Sequence, residues 1–329
     1  MARATTLTSD KAPRVGVLIN PLSGKNRQEA PAILLTLGDH PDVLQHTVQD
    51  PQDVYKALFD FSRQKVDTVV ISGGDGTIQA VLTVLFHHHP FTSLPQLIVL
   101  EGGTTNMIAG DIGIKGKQSN ALHRLFKWIE TGSGNVTRQE RSILRLQVPG
   151  HEVKYGMFFG AASISQGIQY YRRHLHHKKL HGLPGICMTL LRFLWALIRR
   201  QTRIAAPTAM RVSADNQRLQ EEYFMLFFVS TLNRLFFGLR PFWGNENGQL
   251  RLTAVRSKAR YLLRVLPAAA RGRKAEKATR ENGYYSHNAD EIELYITDGM
   301  ALDGEIYTPD SSRQPTLLQY GGKVTFVQL

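Results

Sequence analysis

Asp67-Thr-Val-Val-Ile-Ser-Gly-Gly-Asp-Gly-Thr77 is the stretch on which the fold turns. An apolar run of strand length meets three glycines, and a segment with helical spacing, Thr77 to His87, follows. Strand, tight turn and helix in that order make one step of a parallel α/β sheet. The glycines let the backbone turn sharply and approach a ligand, and the helix behind them offers unpaired N–H groups to an anion. Asp75 is an odd neighbour for a phosphate unless a divalent cation or a ribose hydroxyl joins it. A plain strand–helix turn capped by Asp has the same local composition. Two familiar phosphate loops do not fit. A G-x-G-x-x-G fingerprint begun at Gly74 needs Gly or Ala where Gln79 stands. A Walker A loop ending at Gly24-Lys25 needs Gly at position 19 and Ser or Thr at position 26, which are Ile19 and Asn26.

Upstream, Arg14-Val-Gly-Val-Leu-Ile-Asn20 reads as a buried strand running into the Pro21-to-Gly24 turn. Helices are expected over 27–37 and 51–65. Downstream, Gln96 to Leu100 is a third strand, followed by a Gly-Gly-Thr-Thr-Asn loop and a helical segment near Ala109. The chain therefore opens with a parallel sheet covered by helices on both faces. After about Thr137 the texture changes. Strands are expected over 142–148, 155–159, 209–213, 223–230, 249–255, 284–287, 291–296, 305–307 and 324–328, with 183–203 as the strongly helical segment. The expectation is an α/β domain over 13–138 and a β-rich, sandwich-like domain over 139–309, with about 310–329 packing back on the first.

Of 329 residues, 40 are Lys or Arg and 27 are Asp or Glu, so the net charge of +13 asks for a polyanionic partner. The cations cluster in Tyr171 to Lys179 and again in Arg256 to Lys277, without the interleaved aromatics of a stacking surface for nucleic acid. The single cysteine, Cys187, excludes an intramolecular disulfide and fits a reducing compartment. The first fourteen residues lack the apolar run of a signal peptide and read as a loose tail. The longest apolar stretch, Ile186 to Ile198, is too short to span a bilayer.

Four spaced elements resemble one family in order: Asn20-Pro21-x-Ser23-Gly24-Lys25, Gly73-Gly74-Asp75-Gly76-Thr77, Gly103-Thr104-x-Asn106-x-x-Ala109 and Asp303-Gly304-Glu305. They resemble the motif series of the diacylglycerol kinase catalytic domain family, which includes bacterial lipid kinases and sphingosine and ceramide kinases. The resemblance implies an ATP site between the two domains, with magnesium. Asn20 to Lys25 and Gly73 to Thr77 would wrap the phosphates, with Thr47, Gly103, Thr104 and Asn106 beside the nucleotide. Asp303 and Glu305, with Asp75, would form the catalytic set, Glu305 being preferred as base toward a lipid hydroxyl. Such chemistry needs positioning, charge neutralisation and a carboxylate to orient the nucleophile. The expected partners are a lipid substrate and an anionic membrane surface, not nucleic acid. A homodimer is allowed for, and the expected location is cytoplasmic and peripheral to the membrane.

The sequence departs from the family pattern at three acids and one proline. Ala80 stands where Glu is usual after the glycine turn, Met107 where an acid often follows Asn106, and Glu101 where Pro opens the loop. Asn247-Gly248 replaces the Asp-Gly ligand of a structural magnesium, so Asn247 is the candidate metal residue. These losses leave room for a catalytically silent nucleotide- or lipid-binding protein. An NAD kinase-like enzyme shares the Gly-Gly-Asp-Gly turn, but its Asn-Glu dipeptide appears here only at Asn245-Glu246, far downstream. The histidines at 87–89 and at 174, 176, 177 and 181 lack metal-ligand spacing and read as solvated basic faces. The segment Gly182 to Arg203, greasy and flanked by cations, reads equally as a core helix or as one lying in a lipid interface.

Overall fold

The computed structural model describes residues 13–131, 134–174, 183–199, 201, 205–215, 217–218, 221–310 and 313–329. The chain divides into two compact units, one running to Arg141 and including Lys323–Leu329, the other Ser142–Gly322.

In the first unit, strands β1 (Val15–Ile19), β2 (Leu44–Thr47), β3 (Thr68–Gly73) and β4 (Gln96–Glu101) alternate with helices α1 (Asn26–Gly38), α2 (Pro51–Arg63), α3 (Asp75–Thr83), α4 (Met107–Ile112) and α5 (Gln118–Thr131). The strands lie in the order β2-β1-β3-β4, all parallel. Phe326, at the end of the chain, pairs in parallel with Leu97 of β4. Side chains alternate across a strand, and here both faces are covered. Val15, Val17 and Ile19 of β1 pack with Ala30 and Ile33 of α1 and Leu122 and Phe126 of α5. Between them, Gly16 faces the ring of Phe61 on α2 so closely that a Cβ would meet it at 2.8 Å. Parallel strands buried on both faces explain why β3 reads as an unbroken apolar run. The helix expected over 77–87 begins two residues earlier and changes to π winding over Val84–His88, ending at His89 with φ of 49°.

Among the described residues, the strand pairs of the second unit are antiparallel, and the unit is sandwich-like. It holds β5 (Thr137–Gln147, entering from the first unit), β6 (Lys154–Gly156), β7 (Phe158–Ala162), β8 (Thr208–Ala214), β9 (Gln217–Arg218), β10 (Glu222–Ser230), β11 (Leu250–Arg256), β12 (Tyr284–Ala289), β13 (Glu291–Tyr295), β14 (Met300–Leu302), β15 (Glu305–Tyr307) and most of β16 (Thr316–Gln328). One sheet runs β15-β14-β7-β10-β11-β12, and the other joins β9, β8, β13 and β16. A bulge in β10 between Phe224 and Leu226 lets its first residues pair with β8 and the rest with β7. Phe159, Phe227, Val229 and Leu252 of the first sheet bury against Val212, Ile292, Leu294 and Leu318 of the second.

Among the described residues, three α-helices belong to this unit: α6 (Ser163–His174), α7 (Leu183–Arg199) and α8 (Leu262–Ala269). The sequence offers only the second of them. α6 is polar on one side and interrupted by Gly167, and α8 carries Pro267, so neither looks strongly helical without the sheet it covers. The expected runs from Leu175 to Lys179 and at His181 lie outside the described residues, as do the side chains of Ile186, Leu190, Leu194, Leu197 and Ile198.

Candidate active site

The strand order 2-1-3-4 reverses between β1 and β3, and the carboxyl edge of a parallel sheet at such a reversal is where open α/β folds bind ligands. The loops that leave β1, β3 and β4 at that edge are Asn20 to Lys25, Gly74 to Thr77 and Gly102 to Asn106. They touch one another backbone to backbone. A Cβ on Gly103 would lie 2.5 Å from the Cα of Gly74, and one on Gly24 would lie 2.6 Å from the backbone N of Thr104. Only glycine permits this approach. Side chains then stitch the loops together. Asn20 Nδ2 donates to Thr77 Oγ1 at 3.0 Å, and Asn106 both accepts from Gly103 N and donates to Gly103 O. Asn106 sits at φ of 48°, a conformation Asn tolerates better than most residues. Thr47 ends β2 in register with Ile19, so it stands exposed on the same edge.

Beneath the loops lies a buried polar network that sequence reasoning missed. Asn26, wholly buried, donates to the carbonyls of Asn20 and Ser72 and to Ser72 Oγ. Gln118 of α5 accepts from Ser72 Oγ and donates to Asn26 Oδ1 at 2.7 Å and to Glu29. The network holds the ends of β1 and β3 at fixed spacing. Asn26 adjoins the Ser-Gly-Lys motif, which is a usable signal; Gln118 has none.

Asp75 answers the puzzle its sequence position poses. Its two carboxylate oxygens accept the backbone N–H groups of Met107 (3.1 Å) and Ile108 (3.0 Å), the first turn of α4. Burial pushes its pKa above the ordinary carboxylate value, against the pull of the Ile108 and Met107 N–H groups and the Thr105 hydroxyl. Asp75 thus acts as a strut between two loops. Met107, where an acid was expected, supplies one of those N–H groups and buries its side chain. Glu101 forms an ion pair with Lys25, Nζ to Oε2 at 3.0 Å. Ala80 is half-buried in α3. Among the described residues, the N–H groups of Asp75 and Gly76 at the start of α3 have no protein acceptor, as expected for a first helical turn. An anionic phosphate suits them.

Residues 14–133 match the diacylglycerol kinase catalytic domain. The match spans most of the first unit, and the three touching loops are the first three motifs of the series. A solved diacylglycerol kinase from Bacillus anthracis str. Sterne has a TM-score of 0.58 at 18% identity, covering 95% of this chain and 96% of that one. Two further structures from the same strain, each described as a candidate diacylglycerol kinase, give TM-scores of 0.63 and 0.62 at 18% identity. They cover 95% and 96% of this chain and 96% and 97% of their own. At that identity the likeness is one of fold, an α/β unit followed by a β-rich one. No curated protein matches the sequence.

The fourth motif lies in the second unit. Asp303 and Gly304 form the two-residue turn of the β14–β15 hairpin, with φ of 46° and 93° as a type I′ turn requires. The Asp303 carboxyl is buried and accepts the N–H groups of Met157 (3.0 Å) and Phe158 (2.9 Å). Asp303 therefore holds the hairpin to the start of β7, and Glu305 is the exposed carboxylate of the hairpin. Glu305 Oε2 accepts from Arg172 Nη2 at 3.1 Å. Asn247 stands exposed in the loop before β11, and among the described residues no group of three or more His, Cys, Asp or Glu side chains is placed to hold a metal. Glu246 is fixed to β12 by the N–H of Asn288 and the ring of His287, so it does not reproduce a free ribose-binding acid.

Proposed function

We propose that the protein is an ATP-dependent kinase that phosphorylates a lipid hydroxyl, diacylglycerol or a similar long-chain alcohol, at a membrane surface. The observation that carries this reading is the meeting of three glycine-bearing loops at the sheet reversal, backed by the family match of residues 14–133. Ser23, Gly24, Lys25 and the turn from Gly73 to Thr77 would hold the triphosphate, with Thr104 and Asn106 fixing the neighbouring loop and Thr47 at its side. Magnesium, bound with the nucleotide, would neutralise charge on the β- and γ-phosphates. The acceptor oxygen attacks the γ-phosphorus, its proton passes to the Glu305 carboxylate, and the bond from γ-phosphorus to the bridging oxygen breaks to leave ADP.

The membrane part of the reading is supported by α7. Met188, Leu191 and Trp195, exposed by 40%, 66% and 54%, recur at helical spacing on its outer side. Phe193 and Ala196 bury on the other side, against Tyr170 of α6. Arg199 lies over the Trp195 ring, and Arg192 over Tyr170. Large apolar side chains interleaved with cations suit an anionic lipid interface. No helix among the described residues is long and apolar enough to cross a membrane.

The test is transfer of label from γ-labelled ATP, with magnesium, into an organic-phase product from a panel of lipid extracts. A labelled lipid supports the reading and names the acceptor. Label entering NAD in a parallel incubation would replace the lipid reading with a nucleotide-kinase one, and nucleotide binding without transfer to either would leave a silent binding protein.

A further inference from the structure

α6 does more in the second unit than cover a sheet. Ile164, its second residue, fills the space above Gly160 of β7, where a Cβ would meet it at 2.4 Å. Gln169 and Arg172, three apart and so on one side of the helix, reach the β14–β15 hairpin. The Gln169 amide lies 3.0 Å from where a Cβ on Gly299 would sit, and Arg172 reaches the tip of the hairpin. The two N–H groups of Arg172 Nη2 are both used, one on Gly304 O at 2.9 Å and one on Glu305 Oε2 at 3.1 Å. Tyr170, between them in sequence, faces the other way and meets Phe193 of α7 at 6.1 Å between ring centroids.

We infer that Arg172 is a positioning residue for the candidate base, tying the Glu305 carboxylate to the α6–α7 helix pair that carries the exposed apolar face. This inference rests on the proposed kinase reading. The contact is half-exposed on both sides, 46% and 49%, so as a stabilising ion pair it counts for little. Its consequence is orientation. Glu305 stands on a three-residue strand, and its side chain is free to take several rotamers unless one oxygen is held. The guanidinium holds Oε2 and leaves Oε1 for the acceptor hydroxyl, and by also gripping Gly304 O it fixes the hairpin tip relative to the helix. Lysine carries the charge but cannot make this planar two-acceptor grip as well. Seating of α7 in a lipid surface then bears, through Tyr170 and α6, on where the base points.

The experiment is steady-state transfer from ATP to diacylglycerol in detergent micelles by wild type, Arg172→Gln, Arg172→Lys, Glu305→Gln and the Arg172→Gln/Glu305→Gln pair. Misplacing a base by about 1 Å costs on the order of 100-fold, so Arg172→Gln should lose about 10- to 100-fold in kcat. The KM for lipid should stay within about threefold, because the group lost acts on the reacting proton rather than on binding. Arg172→Lys should recover part of the loss, and in the Glu305→Gln background Arg172→Gln should add nothing, as for residues acting as a unit. A kcat within about twofold of wild type for Arg172→Gln, or a full multiplicative loss in the pair, overturns the inference. Full turnover by Glu305→Gln overturns both it and the choice of base. Should no lipid accept phosphoryl from wild type, the kinase reading falls, and the contact is decided by arginine side-chain NMR. Arg172 Nη2 should show slowed hydrogen exchange in wild type that weakens in Glu305→Ala, where only the bond to Gly304 O remains; equal exchange in both sinks the contact itself.

Discussion

Glu101 is the departure from the family pattern whose consequence is easiest to measure. It stands where proline usually opens the loop after β4, and its carboxylate holds Lys25 at 3.0 Å, with the lysine side chain 41% exposed and the carboxylate 24%. Lys25 is the cation expected to meet phosphate. Two charges at that separation and exposure are worth about 0.2–1 kcal/mol to stability after screening, so Glu101→Gln should barely move the melting temperature. Its effect on an anionic ligand is larger in proportion. The lysine no longer has to leave a partner, and a negative charge is removed from beside the phosphates. Taking the upper value of about 1 kcal/mol, and 1.4 kcal/mol per factor of ten, ATP should bind Glu101→Gln about fivefold more tightly. Lys25→Met should weaken binding, and Glu101→Gln added to Lys25→Met should recover only the part due to the removed negative charge. Calorimetric titration with Mg-ATP needs no lipid acceptor and gives the dissociation constants directly. The gain should shrink as ionic strength rises from about 0.05 to 0.3 M, because the groups are near the surface. Equal or weaker binding by Glu101→Gln at low salt refutes the reasoning, since it would mean that Lys25 does not act on the nucleotide.

Three further outcomes follow from the same geometry. Asp75→Ala strands two buried N–H groups at the start of α4 and should cost about 2–4 kcal/mol in urea unfolding. Because burial raises the pKa of Asp75, its favourable contribution is complete below the ordinary carboxylate value and is lost as pH rises through the raised one. Wild type should therefore lose stability relative to Asp75→Asn on going from pH 4 upward; a difference that grows in the other direction contradicts the shift. Gly103→Ala places a methyl against Gly74, 2.5 Å from its Cα, and should cost about 1–3 kcal/mol through forced backbone movement while weakening ATP binding at least tenfold. Leu191→Gln with Trp195→Gln should abolish co-sedimentation with anionic vesicles and leave ATP binding intact. Vesicle binding that survives both changes removes α7 from the interface.

Much of the first unit was legible along the chain because its signals are local. Buried parallel strands appear as apolar runs at β1, β3 and β4, and the close approaches at Gly74 and Gly103 require glycine wherever the loops touch. β2, Leu-Gln-His-Thr, has no apolar run because it lies at the sheet edge, and it went unread. α5 did carry a usable period in Ala121, Leu122, Leu125, Phe126 and Ile129, whereas α6 and α8 take their helical form from the sheet and cluster they pack on.

By itself the sequence determined the fold class, an α/β unit and a β-rich one, and the places where backbone and ligand can come close. Only the tertiary structure decided what the acids do there. Asp75 and Met107 are 32 positions apart, Asp303 and Met157 146 apart, and Gln118 and Asn26 92 apart. A polar side chain shows no period in the sequence that points to its partner. Whether a carboxylate caps a helix, pins a hairpin or stays free for a substrate depends on which N–H groups the finished fold brings within 3 Å of it.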